Sequence, residues 1–168
     1  MKIMNYKIFI EDLSKLNLSK RQVINTINPH SYITAKDDKL FFEALHDSDL
    51  LIPDGSGIVI AAKQINKQTI KKIAGADLHK FLLEEMNKKS GKVFYMGAAQ
   101  KTLDKIHEKI KLEYPNIIVE SYSPPFKPEF SDEENQEIIN RINSFNPDVL
   151  FVGMTAPKQE KWLHTHKE

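Results

Sequence analysis

The chain has 168 residues, with 24 lysines and arginines against 23 aspartates and glutamates, 40% hydrophobic residues and no cysteine. Because this length can bury a sizeable core without disulfides or metal, we expect a single domain over residues 1–168. The absence of cysteine excludes a disulfide scaffold, a thiolate zinc site and a cysteine nucleophile. The formal net charge of +1 gives no reason to expect nucleic acid as a partner. The N-terminal stretch meets charges after very few apolar residues, so we expect neither a signal peptide nor a membrane span there.

Short apolar segments alternate with longer segments of helical period along the chain. Five segments are predicted strands because they are short and almost continuously apolar, namely 23–28, 49–53, 92–97, 117–120 and 148–154. The spacing of apolar residues predicts helices within 38–46, 75–91, 100–115 and 131–145. The last of these begins with a capping box, Ser131 to Glu134. The alternation predicts an α/β fold with a mainly parallel sheet flanked by helices.

Polar residues directly after predicted strands are the candidate functional residues. In an open parallel sheet, ligands bind beyond the carboxyl ends of the strands, where side chains and helix N-termini converge. Four stretches occupy such positions, namely 26–30, 53–57, Gly97 and 153–160. We therefore expect Thr26, Asn28, Asp54, Gly97 and Gln159 to line one cleft.

Asp54 is the first of these candidates. It follows an apolar strand and precedes Gly55-Ser-Gly57, a turn that opens a helix predicted over 58–63. Its carboxylate could be a general base for a hydroxyl, or it could cap that helix, and the sequence leaves both roles open. The turn does not complete the dinucleotide-binding pattern G-x-G-x-x-G, because Ile60 stands where the third glycine belongs.

The other strand-end stretches also have two interpretations each. Thr26 to His30 is predicted to be extended and then to turn, because Pro29 disfavours helix at Asn28. Its side chains could bind sugar hydroxyls, or the Asn-Pro pair could form a routine turn. Pro157 is predicted to lie in the first turn of a helix. Behind it, Lys158 could meet a phosphate and Gln159 could bind a sugar or base, or both could be solvated at an ordinary helix start.

Two further groups have simpler interpretations. His164 and His166 are two residues apart on a predicted helix and do not face each other, so we expect no metal pair. The basic run comprises Lys63, Lys67, Lys71 and Lys72. It predicts a solvated face, although a phosphate or anionic headgroups could use it.

Four motifs give the chain a resemblance to the WecG/TagA/CpsF family of bacterial glycosyltransferases. They are Thr26-x-Asn28, Pro53-Asp54-Gly55, Gly75-x-Asp77-Leu78 and Pro157-Lys158-Gln159-Glu160. The resemblance runs from about Thr26 to Trp162 and implies a Rossmann-like α/β fold. It also implies inverting transfer of an N-acetylmannosamine-type sugar, or a related hexose, from a UDP-sugar to a lipid-linked saccharide acceptor in surface polysaccharide or teichoic acid synthesis. No essential metal and no other cofactor are expected.

The resemblance also implies roles for individual residues. Asp54 matches the family's proposed base, Thr26 and Asn28 match the sugar and acceptor side of the pocket, and Gln159 matches a nucleotide-sugar contact. Because no D-x-D-like acidic pair follows a predicted strand, we expect cationic side chains and helix amides to hold the diphosphate. The expected catalytic residues are Asp54 and Thr26, and the expected substrate-binding residues are Asn28, Gly55, Lys72, Asp77, Gly97, Lys158 and Gln159.

The sequence departs from the family pattern at three places. Lys72 stands where many members have arginine, which keeps the charge but loses a bidentate phosphate fork. Thr155 stands where many have glycine. Members continue beyond the helix after Pro157 with a strand and a basic segment thought to reach the membrane. We therefore expect a truncated, poorly active chain that forms a homo-oligomer through the apolar side around Trp162 and Leu163.

The resemblance places the protein in the cytoplasm, at the inner face of the bacterial membrane. Two alternative functions stay open at this point. One is a non-catalytic module that binds a UDP-sugar or a partner protein. The other is a nucleotide-dependent oxidoreductase on a Rossmann-like sheet, which is disfavoured by the incomplete glycine pattern.

Overall fold

The computed structural model describes residues 1–167 and divides into two compact units. Unit one comprises residues 1–79 and the chain from Glu160 onward, and unit two comprises Lys80–Gln159. Each unit contains parallel strands with helices beside them, so the predicted α/β class is confirmed. Within residues 1–167, none of the helices is both long and apolar enough to cross a bilayer.

Unit one is built around a parallel pair of strands, β3 (Ile24–Ile27) and β4 (Leu50–Pro53). Its other elements include the short strands β1 (Lys2–Ile3) and β2 (Tyr6–Lys7) and the helices α1 (Pro29–Asp37), α2 (Lys39–His46) and α3 (Ser56–Ile65). In the parallel pair, Ile24 lies opposite Leu50 and Ile27 lies opposite Pro53. This register brings the carboxyl ends of the two strands to the same level.

An N-terminal hairpin that the sequence analysis did not predict packs in unit one. Strands β1 and β2 pair antiparallel through a turn in which Met4 and Asn5 have φ values of +46° and +72°. Asparagine tolerates this left-handed conformation, but methionine gives no turn signal. Beyond the hairpin, the Phe9 amide donates to the Leu51 carbonyl at 2.9 Å. The segment that follows the hairpin thereby pairs with β4.

The core of unit one combines the hairpin with the parallel pair and the helices. Ile27 and Leu51 are buried on the strands, and Phe41 and Leu45 are buried on α2 at the predicted helical spacing. Each fully buried side chain of this size contributes about 1.5–3 kcal/mol to folding. The cluster also includes Ile3, Tyr6, Ile8, Ala35, Ile58, Ala62 and Ile70.

Unit two has three parallel strands in the order β6-β5-β7. They are β5 (Lys92–Gly97), β6 (Ile118–Tyr122) and β7 (Val149–Gly153), and the helices α5 (Gln100–Glu113) and α6 (Asp132–Phe145) connect them. The central strand β5 is buried from Val93 to Gly97, as its continuous apolar sequence predicts. The predicted capping box of α6 is confirmed, with the side chains of Ser131 and Glu134 exchanging hydrogen bonds with the backbone.

Two helices have residues in both units. Helix α4 (Gly75–Lys88) begins in unit one, and helix α7 (Lys158–His166) begins in unit two. Helix α7 begins one residue later than the sequence analysis expected, because Pro157 lies in the preceding turn. Most predicted strand ends differ from the observed ones by one or two residues.

Asp38 ties two helices of unit one together. Its Oδ1 atom caps α2 by accepting from the Phe41 amide at 3.0 Å, and its Oδ2 atom accepts from Lys161 Nζ on α7 at 2.9 Å. The hydrogen bond from Phe41 and the charge of Lys161 hold the pKa of Asp38 below its ordinary value of 3.8. The ionised form therefore stabilises the folded state, and protonation weakens it.

Replacing Asp38 with asparagine should keep the cap and remove the charge. Because the folded-state pKa is lowered, the contribution of the carboxylate is complete above its ordinary pKa and is lost as the pH falls through the lowered value. We expect Asp38→Asn to be less stable by about 0.5–1 kcal/mol at neutral pH, with the difference shrinking below about pH 4. Urea unfolding at pH 7 and pH 3 measures it, and Lys161→Gln with the double variant isolates the ion pair. A difference that is independent of pH would contradict this account.

Candidate functional site

Three sequence motifs meet in unit one at the carboxyl ends of β3 and β4. Because Ile27 lies opposite Pro53, the next residues, Asn28 and Asp54, follow the two strand ends side by side. The Asp54 amide donates to the Ile27 carbonyl at 2.9 Å, and the Ile73 amide donates to the Pro53 carbonyl at 3.1 Å. We call the residues 26–28, 53–55 and 73–77 the strand-end corner.

Residues from all three of these motifs are therefore neighbours. A methyl group placed on Gly75 would lie 3.9 Å from Thr26 Cγ2. Thr26, Asn28 and Asp54 are all half-buried. The corner has the hydroxyl, amide and carboxylate groups that recognise sugar hydroxyls.

Asp54 does not cap helix α3. The N-cap of that helix is Gly55, with a φ of +100°, and no side chain forms a capping hydrogen bond there. The capping interpretation of Asp54 is therefore wrong, and the carboxylate is not used to begin the helix. Helix α3 instead begins close to α1, because a Cβ atom on Gly57 would lie 2.3 Å from Pro29 Cγ.

Asn28 is extended, as predicted, but the segment after it is not a simple turn. Pro29 begins helix α1, and the Asn28 side chain is its N-cap. The Oδ1 atom of Asn28 accepts from the Ser31 amide at 2.9 Å and from Ser31 Oγ at 3.1 Å. The oxygen is thus committed to the cap, and the NH₂ group is the part of Asn28 that can donate to a ligand.

Lys72 lies just before helix α4 and Asp77 lies in its first turn, and the two side chains have different environments. Asp77 Oδ2 accepts from the Ala74 amide at 2.9 Å, so this carboxylate stabilises the first turn of its own helix. Lys72 is exposed between the buried residues Ile70 and Ile73. The bond from Ile73 to Pro53 brings the backbone beside Lys72 to the end of β4.

Gly97 and Lys158, in unit two, both have structural contacts. Gly97 has a φ of +98°, and a Cβ atom there would lie 2.8 Å from the Gly153 carbonyl oxygen. Lys158 Nζ donates to the Lys127 carbonyl at 2.6 Å and lies 3.6 Å from the centroid of the Phe130 ring. Burial is the main cause that lowers the pKa of Lys158. The ammonium group of Lys158 therefore already has partners inside unit two.

Gln159 is half-buried in the first turn of α7, at the end of unit two. The expectation that Gly97 and Gln159 share a cleft with Asp54 stays a prediction. Unit two also contains an open groove of about 1160 Å³ along β6 and α6, lined by residues that include Glu120, Gln136 and Arg141. None of the predicted site residues lines this groove.

No set of three or more histidine, aspartate or glutamate side chains within residues 1–167 is placed to hold a metal ion. His164 Nδ1 lies 3.8 Å from Asp47 Oδ2. The His166 ring lies 5.0 Å from the Trp162 ring, and burial lowers the pKa of His166. The two histidines thus have different neighbours in unit one.

A parallel α/β framework with hydroxyl, amide and carboxylate side chains at its strand ends is typical of proteins that bind phosphorylated or nucleotide-linked ligands. A comparison with known families identifies the class more closely. The model of the glycosyl transferase WecG/TagA/CpsF family matches residues 2–168. The chain belongs to this family, which confirms the resemblance that its motifs indicated.

Three similar relatives share one name. The chain is 33% identical over 165 residues to the N-acetylglucosaminyldiphosphoundecaprenol N-acetyl-beta-D-mannosaminyltransferase of Bacillus subtilis. The alignment covers 97% of this chain and 62% of the relative. It is 30% identical to the enzyme of that name from Bacillus spizizenii, with 90% of this chain and 57% of the relative covered. It is 29% identical to the enzyme of that name from Staphylococcus aureus, and the alignment covers 97% of this chain and 61% of the relative. The chain thus spans about three fifths of the length of these relatives.

Proposed function

We propose that the protein transfers an N-acetylmannosamine-type sugar from a UDP-sugar to a lipid-linked saccharide acceptor. The observation that carries this proposal is the position of Asp54 in the strand-end corner. Its half-buried carboxylate follows β4, lies beside Asn28 and caps no helix. Family membership and the shared name of the relatives support the choice of sugar and acceptor.

Asp54 is proposed as the general base. Its carboxylate accepts the proton of the acceptor hydroxyl as the hydroxyl oxygen attacks the anomeric carbon of the donor sugar. The bond from that carbon to the diphosphate oxygen breaks, and its electron pair leaves with UDP. Attack from the face opposite the leaving group inverts the anomeric centre. Thr26 and the NH₂ group of Asn28 are proposed to hold the sugar and the acceptor in position for this attack.

The departing diphosphate needs positive charge near it. Helix α3 begins in the strand-end corner without a side-chain cap, so its first amides are available to an anion. The exposed Lys72 precedes the residue that is hydrogen-bonded to the end of β4, and it supplies a full charge. We assign the diphosphate to Lys72 and these amides. Gly55 permits the backbone to approach it.

Gln159 is proposed to contribute the nucleotide-sugar contact. Its side chain offers both a donor and an acceptor, which suits a uracil or ribose edge. A lipid-linked acceptor lies in a bilayer, so we include peripheral contact with the cytoplasmic face of the membrane in the proposal. Assembly into a homo-oligomer is part of the same proposal.

Calorimetric titration with UDP and with NAD, followed by a turnover assay, tests the function. We expect UDP to bind at least tenfold more tightly than NAD, because a uridine diphosphate shares the leaving group of the donor. Incubation with UDP-N-acetylmannosamine and an N-acetylglucosaminyl diphosphate lipid should then release UDP. The amount of UDP released should equal the amount of glycosylated lipid formed. Preferential binding of NAD would instead indicate an oxidoreductase. Binding of UDP-sugar without turnover on any lipid acceptor would indicate a binding module.

A further inference from the structure

Several polar contacts, of which three matter here, attach the segment 123–130 of unit two to the rest of the unit, and we call this segment the proline loop. Ser123 Oγ donates to the Ala98 carbonyl at 2.8 Å, beside the end of β5. Lys127 Nζ pairs with Glu134 Oε2 at 2.6 Å, at the start of α6. The third attachment is the hydrogen bond from Lys158 to the Lys127 carbonyl. The loop follows β6 directly, so it lies at the carboxyl edge of the three-stranded sheet.

The ammonium group of Lys158 contacts the proline loop in two ways. One N–H donates to the Lys127 carbonyl at 2.6 Å, and the charge lies 3.6 Å above the Phe130 ring. A cation over an aromatic ring contributes more when it is desolvated, and Lys158 is half-buried. A carbonyl accepting from an ammonium group also forms a strong hydrogen bond. Of its three N–H donors, one is taken by the Lys127 carbonyl, and the Phe130 ring covers another side, so the ammonium group is held against the loop.

We propose that Lys158 is a positioning residue, whose ammonium group holds the proline loop against the first turn of α7 so that the adjacent Gln159 is presented to the donor. This inference rests on the proposed function of the protein. It gives the lysine of the Pro157-Lys158-Gln159-Glu160 motif a role different from the phosphate contact that the sequence suggests. The lysine acts on the donor through the loop and the helix start.

Limited cleavage with chymotrypsin tests the contact between Lys158 and the loop. The loop contains Phe126, which is fully exposed, so release of the loop exposes the backbone around a ready cleavage site. We expect cleavage after Phe126 to be about tenfold or more faster in Lys158→Met than in the unchanged protein. Lys158→Arg should recover much of the protection, because arginine keeps the charge and the ring contact.

The matched control is Lys89→Met. Lys89 is also a lysine of unit two and pairs with Asp148 at 3.4 Å, away from the loop residues. It should leave cleavage after Phe126 unchanged. Phe130→Leu provides a second route, because it removes the ring and leaves Lys158 in place, and it should also accelerate cleavage. Amide exchange in β5 shows whether a variant has lost the fold of the unit as a whole.

Donor kinetics test the positioning role. We expect KM for the UDP-sugar to rise about tenfold in Lys158→Met with a smaller change in kcat, and Lys158→Arg to recover loop protection and KM together. Unchanged cleavage with weaker donor binding would overturn the proposal and make Lys158 a direct ligand of the diphosphate. Faster cleavage with unchanged KM would also overturn it. If the unchanged protein binds no UDP, the proposed function fails, and cleavage alone then decides whether Lys158 holds the loop.

Discussion

Asp54→Asn should lower the rate of sugar transfer by about 10²–10⁴-fold, the usual contribution of a general base. The affinity for the UDP-sugar should stay within about threefold, because the base acts on the acceptor hydroxyl. Asparagine has nearly the same shape as aspartate and can hydrogen-bond, but it cannot accept the proton. Titration with UDP-sugar and a turnover assay on the same preparation measure both quantities.

The structure also predicts that this substitution leaves stability almost unchanged. Asp54 caps no helix, since Gly55 is the N-cap of α3 and no side chain bonds the first turn. A capping aspartate would have changed stability together with activity. We therefore expect urea unfolding of Asp54→Asn to give a free energy of unfolding within about 0.5 kcal/mol of that of the unchanged protein.

Asp37→Asn is the matched control for Asp54→Asn. Asp37 is an exposed carboxylate at the end of α1, in the same unit. Its replacement changes the net charge equally and should leave the transfer rate unchanged. Equal losses of donor affinity and rate in Asp54→Asn would mean that Asp54 binds the donor. A rate within threefold of the unchanged protein would remove Asp54 from the chemistry.

The fold was predictable where apolar sequence alone decides the structure. Buried parallel strands are nearly continuous apolar runs, and β5 was predicted with its observed ends for that reason. The helix before β4 was predicted because Phe41, Ala44 and Leu45 share one face, and all three are buried. Helix α1 was missed because its apolar residues show no clear stripe: Ile33 is exposed and Ala35 is buried.

The positions of the candidate site residues after strands could be predicted from the sequence, but their contacts could not. Sequence spacing placed Asn28 and Asp54 at strand ends, and the observed register brings these ends together. It could not show which carboxylate would cap a helix. Asp77 bonds the Ala74 amide, whereas Asp54 does not cap its helix. That difference depends on backbone angles, which two short motifs containing glycine and aspartate do not determine.

The partners of Lys158 lie about thirty residues earlier in the chain, which explains why the motif alone suggested a phosphate ligand. The carbonyl of Lys127 and the ring of Phe130 reach it only through the course of the proline loop. A contact at this separation depends on tertiary structure and has no signature in local spacing. The same argument applies to the ion pair between Asp38 and Lys161.

Gly97→Ala should destabilise the protein by about 2–4 kcal/mol, through a left-handed backbone and a steric clash acting together. Gly97 has a φ of +98°, which a residue with a Cβ atom adopts at a cost. The added Cβ would also lie 2.8 Å from the Gly153 carbonyl oxygen and 2.9 Å from its carbon, and this neighbour is the backbone of the paired strand β7. Urea unfolding measures the loss.

Gly153→Ala provides the control, because Gly153 lies directly opposite Gly97 in the same strand pair. A Cβ atom there would have its nearest neighbours at 4.0 Å, and the φ of Gly153 is not in the left-handed region. We expect this variant to change the free energy of unfolding by no more than about 0.5 kcal/mol. If Gly97→Ala keeps full stability and loses only affinity for UDP, then Gly97 contacts the ligand. A large loss of stability confined to Gly97→Ala instead means that the backbone at the end of β5 requires glycine at this position.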